Sequence, residues 1–232
     1  MEAFPRLERL PKQLIDFFFK IKHSNFFRVL FSFCKYRMIT YWFPTGIYHN
    51  SYPEHNTLKT YLLDKVLENV SHNSQTDSWL GNPKNSCGNW DPLTLTDSNI
   101  IKFKNWIEEE VKVFSKSYGS SEDYLIKQCW ANIYNFGDFQ ETHYHPGWDF
   151  SAVYFLTAPE GSGSLIFENP LLPDMRPIRT SGTFDLNCQA AIYRPVEGQL
   201  VIFRSNVRHG VYPNKSKENR ISLAINLISK QQ

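Results

Sequence analysis

Long uninterrupted hydrophobic runs are missing from this 232-residue chain. The Phe-rich stretch 16–37 comes nearest to one, and Lys20, Lys22, Arg28 and Lys35 break it. A transmembrane helix needs about 18–20 consecutive apolar residues, so none is expected. The start of the chain also lacks the basic lead, unbroken apolar core and small-residue cleavage site of a signal peptide. Charge of one sign is missing too. Lys and Arg number 25 against 23 Asp and Glu, a net of +2, which leaves no nucleic-acid footprint on the chain as a whole. Cysteine is scarce, and Cys34, Cys87, Cys129 and Cys188 form no C-x-x-C pair. That argues against a zinc knuckle or a thioredoxin-like site. A disulfide framework would be unusual at this size, so a reducing, cytoplasmic setting is expected. Neither an internal repeat nor a low-complexity tract is present.

What the chain does have is aromatic and β-forming. Hydrophobic residues make up 41% and aromatics 16%, enough for a substantial core. The length suits one large β domain or a small pair. Basic charge concentrates in residues 1–37, where eight Lys/Arg face three Asp/Glu, so the body beyond is mildly acidic. This division predicts a basic, Phe-rich extension over 1–37 and a main domain over 38–232. The extension reads either as a helix packing its phenylalanines on the body or as a surface for anionic lipid or a partner. It also reads as a stretch outside the domain, with Met38 the functional start.

Residues 38–53 mix β-formers with two prolines and read as a first strand. Leu58, Tyr61, Leu62, Val66, Leu67 and Val70 recur at helical spacing, with Asn56 or Thr57 as cap. Residues 72–96 are polar and read as a long loop. A second helix is expected from an Asp97 cap to about Tyr118, stopped by Gly119. From Tyr124 onward, short β-rich runs alternate with turn signals. Two helices followed by many short strands predict a mainly β jelly roll buttressed by N-terminal helices.

His143 and His145 lie two apart in a β-rich run, a spacing that aims both imidazoles at one face of a strand. Alone, such a pair suits a polar strand face as well as a metal site. Gly137 marks a turn that would send the histidine strand back antiparallel to WANIYN. His209 stands at the end of the strand GQLVIFRS, where loop residues often carry function. Arg220 opens the apolar strand RISLAINLIS. If buried it needs an anion, and a guanidinium meets a carboxylate with two parallel hydrogen bonds. The bland alternative is a surface pair with Glu218 or another acid.

The segment YNFGDFQETHYH (134–145) resembles the first metal-ligand strand of the Fe(II)/2-oxoglutarate-dependent dioxygenases. Its nearest likeness is to the prolyl-4-hydroxylase-like branch, with its Y-x-x-G-x-x-x-x-x-H-x-D strand. More narrowly, WANIYNFGDFQETHYHPGWDFSAVYFL resembles the 2-oxoglutarate–iron oxygenases common in marine bacteria and their phages. The resemblance runs from about Trp42 to the C-terminus and is specific in 130–156, 198–213 and 220–227. It implies a double-stranded β-helix, with Fe(II), 2-oxoglutarate and O2 as cofactors. It implies metal ligation by His143 and His209, and co-substrate binding by Arg220, Ser222 and Tyr134.

One position departs from that pattern. The usual facial triad has two histidines and one carboxylate, and here His145 stands in the carboxylate's place. Three arrangements follow: His145 ligates, Asp149 folds back to supply a carboxylate, or His145 stays outside the metal's ligands. Strand parity favours His143, His145 and His209 together.

The implied reaction hydroxylates a peptide side chain or small metabolite, releasing succinate and CO2. Trp148 and the loop 171–184 are candidates for a substrate cover, while Arg176 and Arg179 read either as contacts for an acidic substrate or as a solvated loop. Trp148 reads equally as packing on the sandwich rim. A cupin-like barrel holding zinc or manganese for non-oxidative chemistry is the rival, and a catalytically silent sandwich is a second. An R-x-S on the strand after the distal histidine separates the oxygenase from the cupin. The expected partners are the co-substrate and a substrate left open, without nucleic acid. Homodimer formation is also left open.

Overall fold

In the computed structural model, the described residues are 45–71, 80–81, 83–170 and 188–231. The 1–37 extension, residues 38–44 and the 171–184 loop lie outside them, as do Arg176 and Arg179. Among the described residues, ten strands form two antiparallel sheets. The larger takes the order β1 (Ile47–Ser51), β8 (Gln199–Arg204), β5 (Phe150–Thr157), β10 (Arg220–Ser229), β3 (Tyr124–Tyr134), β2 (Lys84–Asn85). The smaller takes the order β4 (Gln140–His143), β9 (His209–Val211), β6 (Leu165–Glu168), β7 (Ala190–Tyr193). This is the expected jelly roll.

β10 explains the layering. It lies between β3 and β5, and nine of its ten residues are buried. A strand covered on both faces reads as a near-continuous apolar run, which RISLAINLIS does. Ile221, Leu223, Ile225 and Leu227 point one way into a core shared with the helices. Arg220, Ser222, Ala224 and Asn226 point the other way, into a cleft.

The helices supply the outer cover. In α1 (His55–Ser71), Leu58, Leu62, Val66 and Val70 are buried at four-residue spacing, and the helix opens one residue before the expected cap. In α2 (Ser98–Ser115), Ile100, Phe103, Ile107, Val111 and Phe114 are buried. Asp97 caps α2 by accepting from Asn99 N. A short 3-10 turn over Lys116–Tyr118 follows and ends at Gly119, whose φ is 78°. Both ends match the sequence signals. A second, smaller core lies between the sheets around Val153, Phe155, Phe167, Val201 and Phe203.

Two expectations need correction. The histidine strand β4 does not pair with β3. Gly137 makes the turn at φ 86°, but β4 crosses to the smaller sheet and pairs with β9, bringing His143 opposite His209. The described part of the polar stretch 72–96 is also more ordered than a loop. β2 pairs with Asn132 and Ile133, and Ser86 Oγ accepts from Ala131 N at 3.0 Å. Asp91 caps a 3-10 turn (Pro92–Thr94) and also accepts from Cys129 N. Polar side chains thereby satisfy the β3 edge that a ladder strand would otherwise cover.

Candidate metal and co-substrate site

The cleft between the sheets has an interior volume of about 320 Å³ and takes alternate residues of β3 and β10 into its lining. β3 contributes Gln128, Trp130, Asn132 and Tyr134, and β10 contributes Arg220, Ser222, Ala224 and Asn226. Register sets them in rows: Tyr134 opposite Arg220, Asn132 opposite Ser222, Trp130 opposite Ala224, Gln128 opposite Asn226. All six residues expected at the site line this cleft: His143, His145, His209, Arg220, Ser222 and Tyr134.

The three histidines form one cluster, their ligand nitrogens all within 4.8 Å of one another. His143 and His209 are cross-strand partners with ring centroids 4.4 Å apart. His145 lies just past the end of β4, held by its backbone N–H donating to Ser205 O at 2.9 Å. Alternation persists there without the ladder: Tyr144 turns outward and His145 inward.

Each imidazole has an acceptor at Nδ1. His143 Nδ1 lies 2.7 Å from Glu141 O, His209 Nδ1 2.9 Å from Val207 O, and His145 Nδ1 2.6 Å from Asn226 Oδ1. A ring that donates from Nδ1 carries its lone pair on Nε2. The same acceptor arrangement orients metal-bound histidines generally. Protonation is suppressed as well. Burial, then the neighbouring His143, brings His209 down from 6.5 to about 3. Burial also lowers His143 and His145. Three neutral imidazoles in one cluster fit a divalent transition metal.

A pH dependence follows. These histidines ionise less readily folded than unfolded, so acid favours the unfolded chain. Stability from their burial is complete above about pH 6.5 and is lost as pH falls through the interval toward about 3. The melting temperature of metal-free protein should fall between pH 7 and 5, and His209→Phe should flatten the decline. A profile equally steep in that variant would assign the acid sensitivity elsewhere.

Arg220 is the largest side chain that is fully buried, at 1% exposure. No acid pairs with it among the described residues, so the surface pair with Glu218 does not form. Its guanidinium sits against the rings of Tyr134 (4.7 Å) and Phe155 (5.1 Å) and donates once, to Gly163 O at 3.3 Å. Its Nε is buried without a partner. Gly163 itself packs against the Tyr212 carbonyl, where a Cβ would collide. Asn214 fixes the same corner, donating to Tyr134 O and Glu218 O where β3 ends and β10 begins.

Asp149 is not in the cluster. Its Oδ2 accepts from Ser229 N at 2.8 Å, tying it to the end of β10. The fold-back arrangement is thereby corrected: this carboxylate is spent on a strand end. No Asp or Glu lines the cleft among the described residues. Trp148 lines it, half-buried, beside Pro146.

Sequence reasoning missed several lining residues. Asn132 is 7% exposed, opposite Ser222, and makes no side-chain hydrogen bond among the described residues. Asn226, Gln128 and Ser151 form a polar group behind His145. Parity was the available signal, since Asn132 and Tyr134 alternate on β3 as Arg220, Ser222 and Asn226 do on β10.

Residues 128–226 match a family model described as "Putative 2OG-Fe(II) oxygenase". No curated protein matches in sequence. Among solved structures, the chain is similar to a Pseudomonas putida prolyl-4-hydroxylase. Identity is 16% over 79% of this chain and 92% of that one, with a TM-score of 0.55. It is also similar to the non-heme α-ketoglutarate-dependent epimerase SnoN from nogalamycin biosynthesis, at 11% identity, 79% and 76% coverage and TM-score 0.57. The carbocyclase SnoK from the same biosynthesis matches at 12% identity, 97% and 87% coverage and TM-score 0.56. At these identities the structural likeness establishes the shared fold alone.

Proposed function

On the premise that residues 128–226 place this chain in the 2OG-Fe(II) oxygenase superfamily, an oxidoreductase group that uses Fe(II), 2-oxoglutarate and O2, we propose that the cleft is the dioxygenase active site. His143, His145 and His209 hold Fe(II), and Arg220, Ser222 and Tyr134 hold 2-oxoglutarate. The reaction hydroxylates a peptide side chain or a small metabolite and releases succinate and CO2. The observation that carries this reading is Arg220: a guanidinium buried at 1% exposure, without an acid, on the cleft wall.

A buried cation without a counter-charge is costly, by several kcal/mol even after relaxation. The fold tolerates that cost where an anionic ligand offsets it. A carboxylate docking here gives Nε its missing acceptor, while the rings of Tyr134 and Phe155 hold the guanidinium plane in place. Ser222, two residues on and on the same face, offers a hydroxyl to that carboxylate, and Tyr134 a phenol. Asn132 adds an amide from the facing strand. The iron would supply oxygen activation coupled to oxidative decarboxylation of the co-substrate. The chain's own part is to orient and to exclude water. The imidazoles stay neutral, the β5, β8 and β10 side chains close the floor, and Trp148 and Pro146 border the mouth.

The test is anaerobic titration. Fe(II) with 2-oxoglutarate should give a weak visible charge-transfer band, and admitting air should release succinate. An iron-loaded sample without the band would overturn the assignment.

A further inference from the structure

His145 stands where the resembled family carries a carboxylate, and what lies behind it is built without charge. Its Nδ1 is 2.6 Å from Asn226 Oδ1. Asn226 Nδ2 donates to Gln128 Oε1 at 3.0 Å, which sets the amide so that its oxygen faces the imidazole. Ser151 Oγ donates to the same oxygen at 2.9 Å and lies 2.8 Å from Ser205 Oγ. Ser151, Ser205 and Asn226 are buried at 1%, 0% and 3% exposure. The elements packed around the ring are β3 with Gln128 and Trp130, β5 with Ser151, β10 with Asn226, and the two other histidines. None of these brings a charged side chain to it.

We propose that Asn226, oriented by Gln128, is the positioning residue that makes His145 a metal ligand. Its Oδ1 accepts a hydrogen bond from Nδ1–H and so leaves the ring's lone pair on Nε2, on the cluster side. The inference rests on the cleft being a metal site. His143 and His209 need no such residue, because backbone carbonyls two residues before each perform the same task. His145 lies beyond the last ladder pair of β4. Its own strand gives it no comparable carbonyl, so a side chain 81 residues away supplies the acceptor. Because that acceptor is an amide, the ring is oriented without gaining negative character. A carboxylate there would make the imidazole a stronger donor and the site less attractive to a dianion.

Co(II) serves as the probe, in the full chain. Each ligating imidazole that keeps a ring N–H adds one solvent-exchangeable, strongly shifted proton resonance in the Co(II) protein. Wild type should show three. Asn226→Leu keeps the volume and removes the amide acceptor, and it is made in a Ser151→Ala background because Ser151 Oγ also lies 3.2 Å from His145 Nδ1. It should retain two such signals and bind Co(II) about 10–100-fold more weakly, the range for loss of a partner that orients a ligand. Asn226→Asp restores an acceptor. It should show three signals, bind Co(II) at least as tightly as wild type, and bind 2-oxoglutarate more weakly. It keeps the question open to test if the leucine variant does not fold. Wild-type Co(II) affinity with three signals in Asn226→Leu would overturn the proposal, as would two signals in Asn226→Asp. Failure of wild type to bind Co(II) would instead overturn the metal-site reading beneath it.

Discussion

Replacing Arg220 by leucine should abolish 2-oxoglutarate binding and, in the same molecule, raise the stability of the ligand-free protein. The two effects come from one cause. In the free protein the guanidinium is buried, lacks an acid partner among the described residues, and leaves Nε unbonded. Exchanging a buried ion for a well-packed apolar side chain is often neutral or stabilising by about 1–4 kcal/mol. The site already offers Phe155 and the Tyr134 ring as apolar neighbours. With ligand, the balance reverses. Losing one side of a buried, hydrogen-bonded charge pair costs about 2–5 kcal/mol, or roughly 30- to several-thousand-fold in affinity. Wild type should therefore show a melting temperature that climbs with 2-oxoglutarate. Arg220→Leu should melt at the same temperature or higher, with no response to the co-substrate. Co(II) affinity should be unchanged, because Arg220 belongs to no histidine's hydrogen-bond set. A variant that melts lower and still responds to 2-oxoglutarate would make Arg220 a structural residue.

His209→Ala should remove metal binding and with it turnover, by about three orders of magnitude or more, the scale on which loss of one essential group in a catalytic unit is felt. Among the three histidines it is the most enclosed, at 4% exposure, with its ring edge-on to Phe203 at 4.5 Å and 4.4 Å from His143. No carboxylate stands by as a substitute, since none lines the cleft among the described residues. Equilibrium dialysis with Co(II) reads the first loss and succinate release the second. Retained metal stoichiometry in a folded His209→Ala protein would show that His143 and His145 suffice.

Much of this was legible along the chain, and the parts that were not share a cause. Helix α2 was readable because its signals are local: an Asp97 cap, five buried residues at helical spacing, and Gly119 in the left-handed region. The strand carrying Arg220 and Ser222 was readable because double-sided burial leaves an apolar run. Sheet membership of β4 was not. The Gly137 turn fixes where the chain reverses, while the choice of β9 over β3 as partner depends on contacts some 66 residues apart, such as His143 with His209. The order in 83–96 was hidden because Ser86 and Asp91 satisfy the β3 edge through side chains, which look like loop composition. Asn226 was hidden for the opposite reason. In LAINLIS it looks like a lone polar interruption, and its meaning appears only when Gln128, His145 and Ser151 arrive from three other segments.

The all-imidazole cluster bears on how this protein would fare amid competing metals. Divalent ions bind nitrogen sites in an order that puts iron below cobalt, nickel and copper. A carboxylate partly offsets that order by favouring harder ions, and here none faces the cluster among the described residues. Occupancy would then follow supply rather than intrinsic preference. Trace zinc, or nickel shed from an affinity resin, would displace the native ion and leave a folded, metal-filled, inert protein.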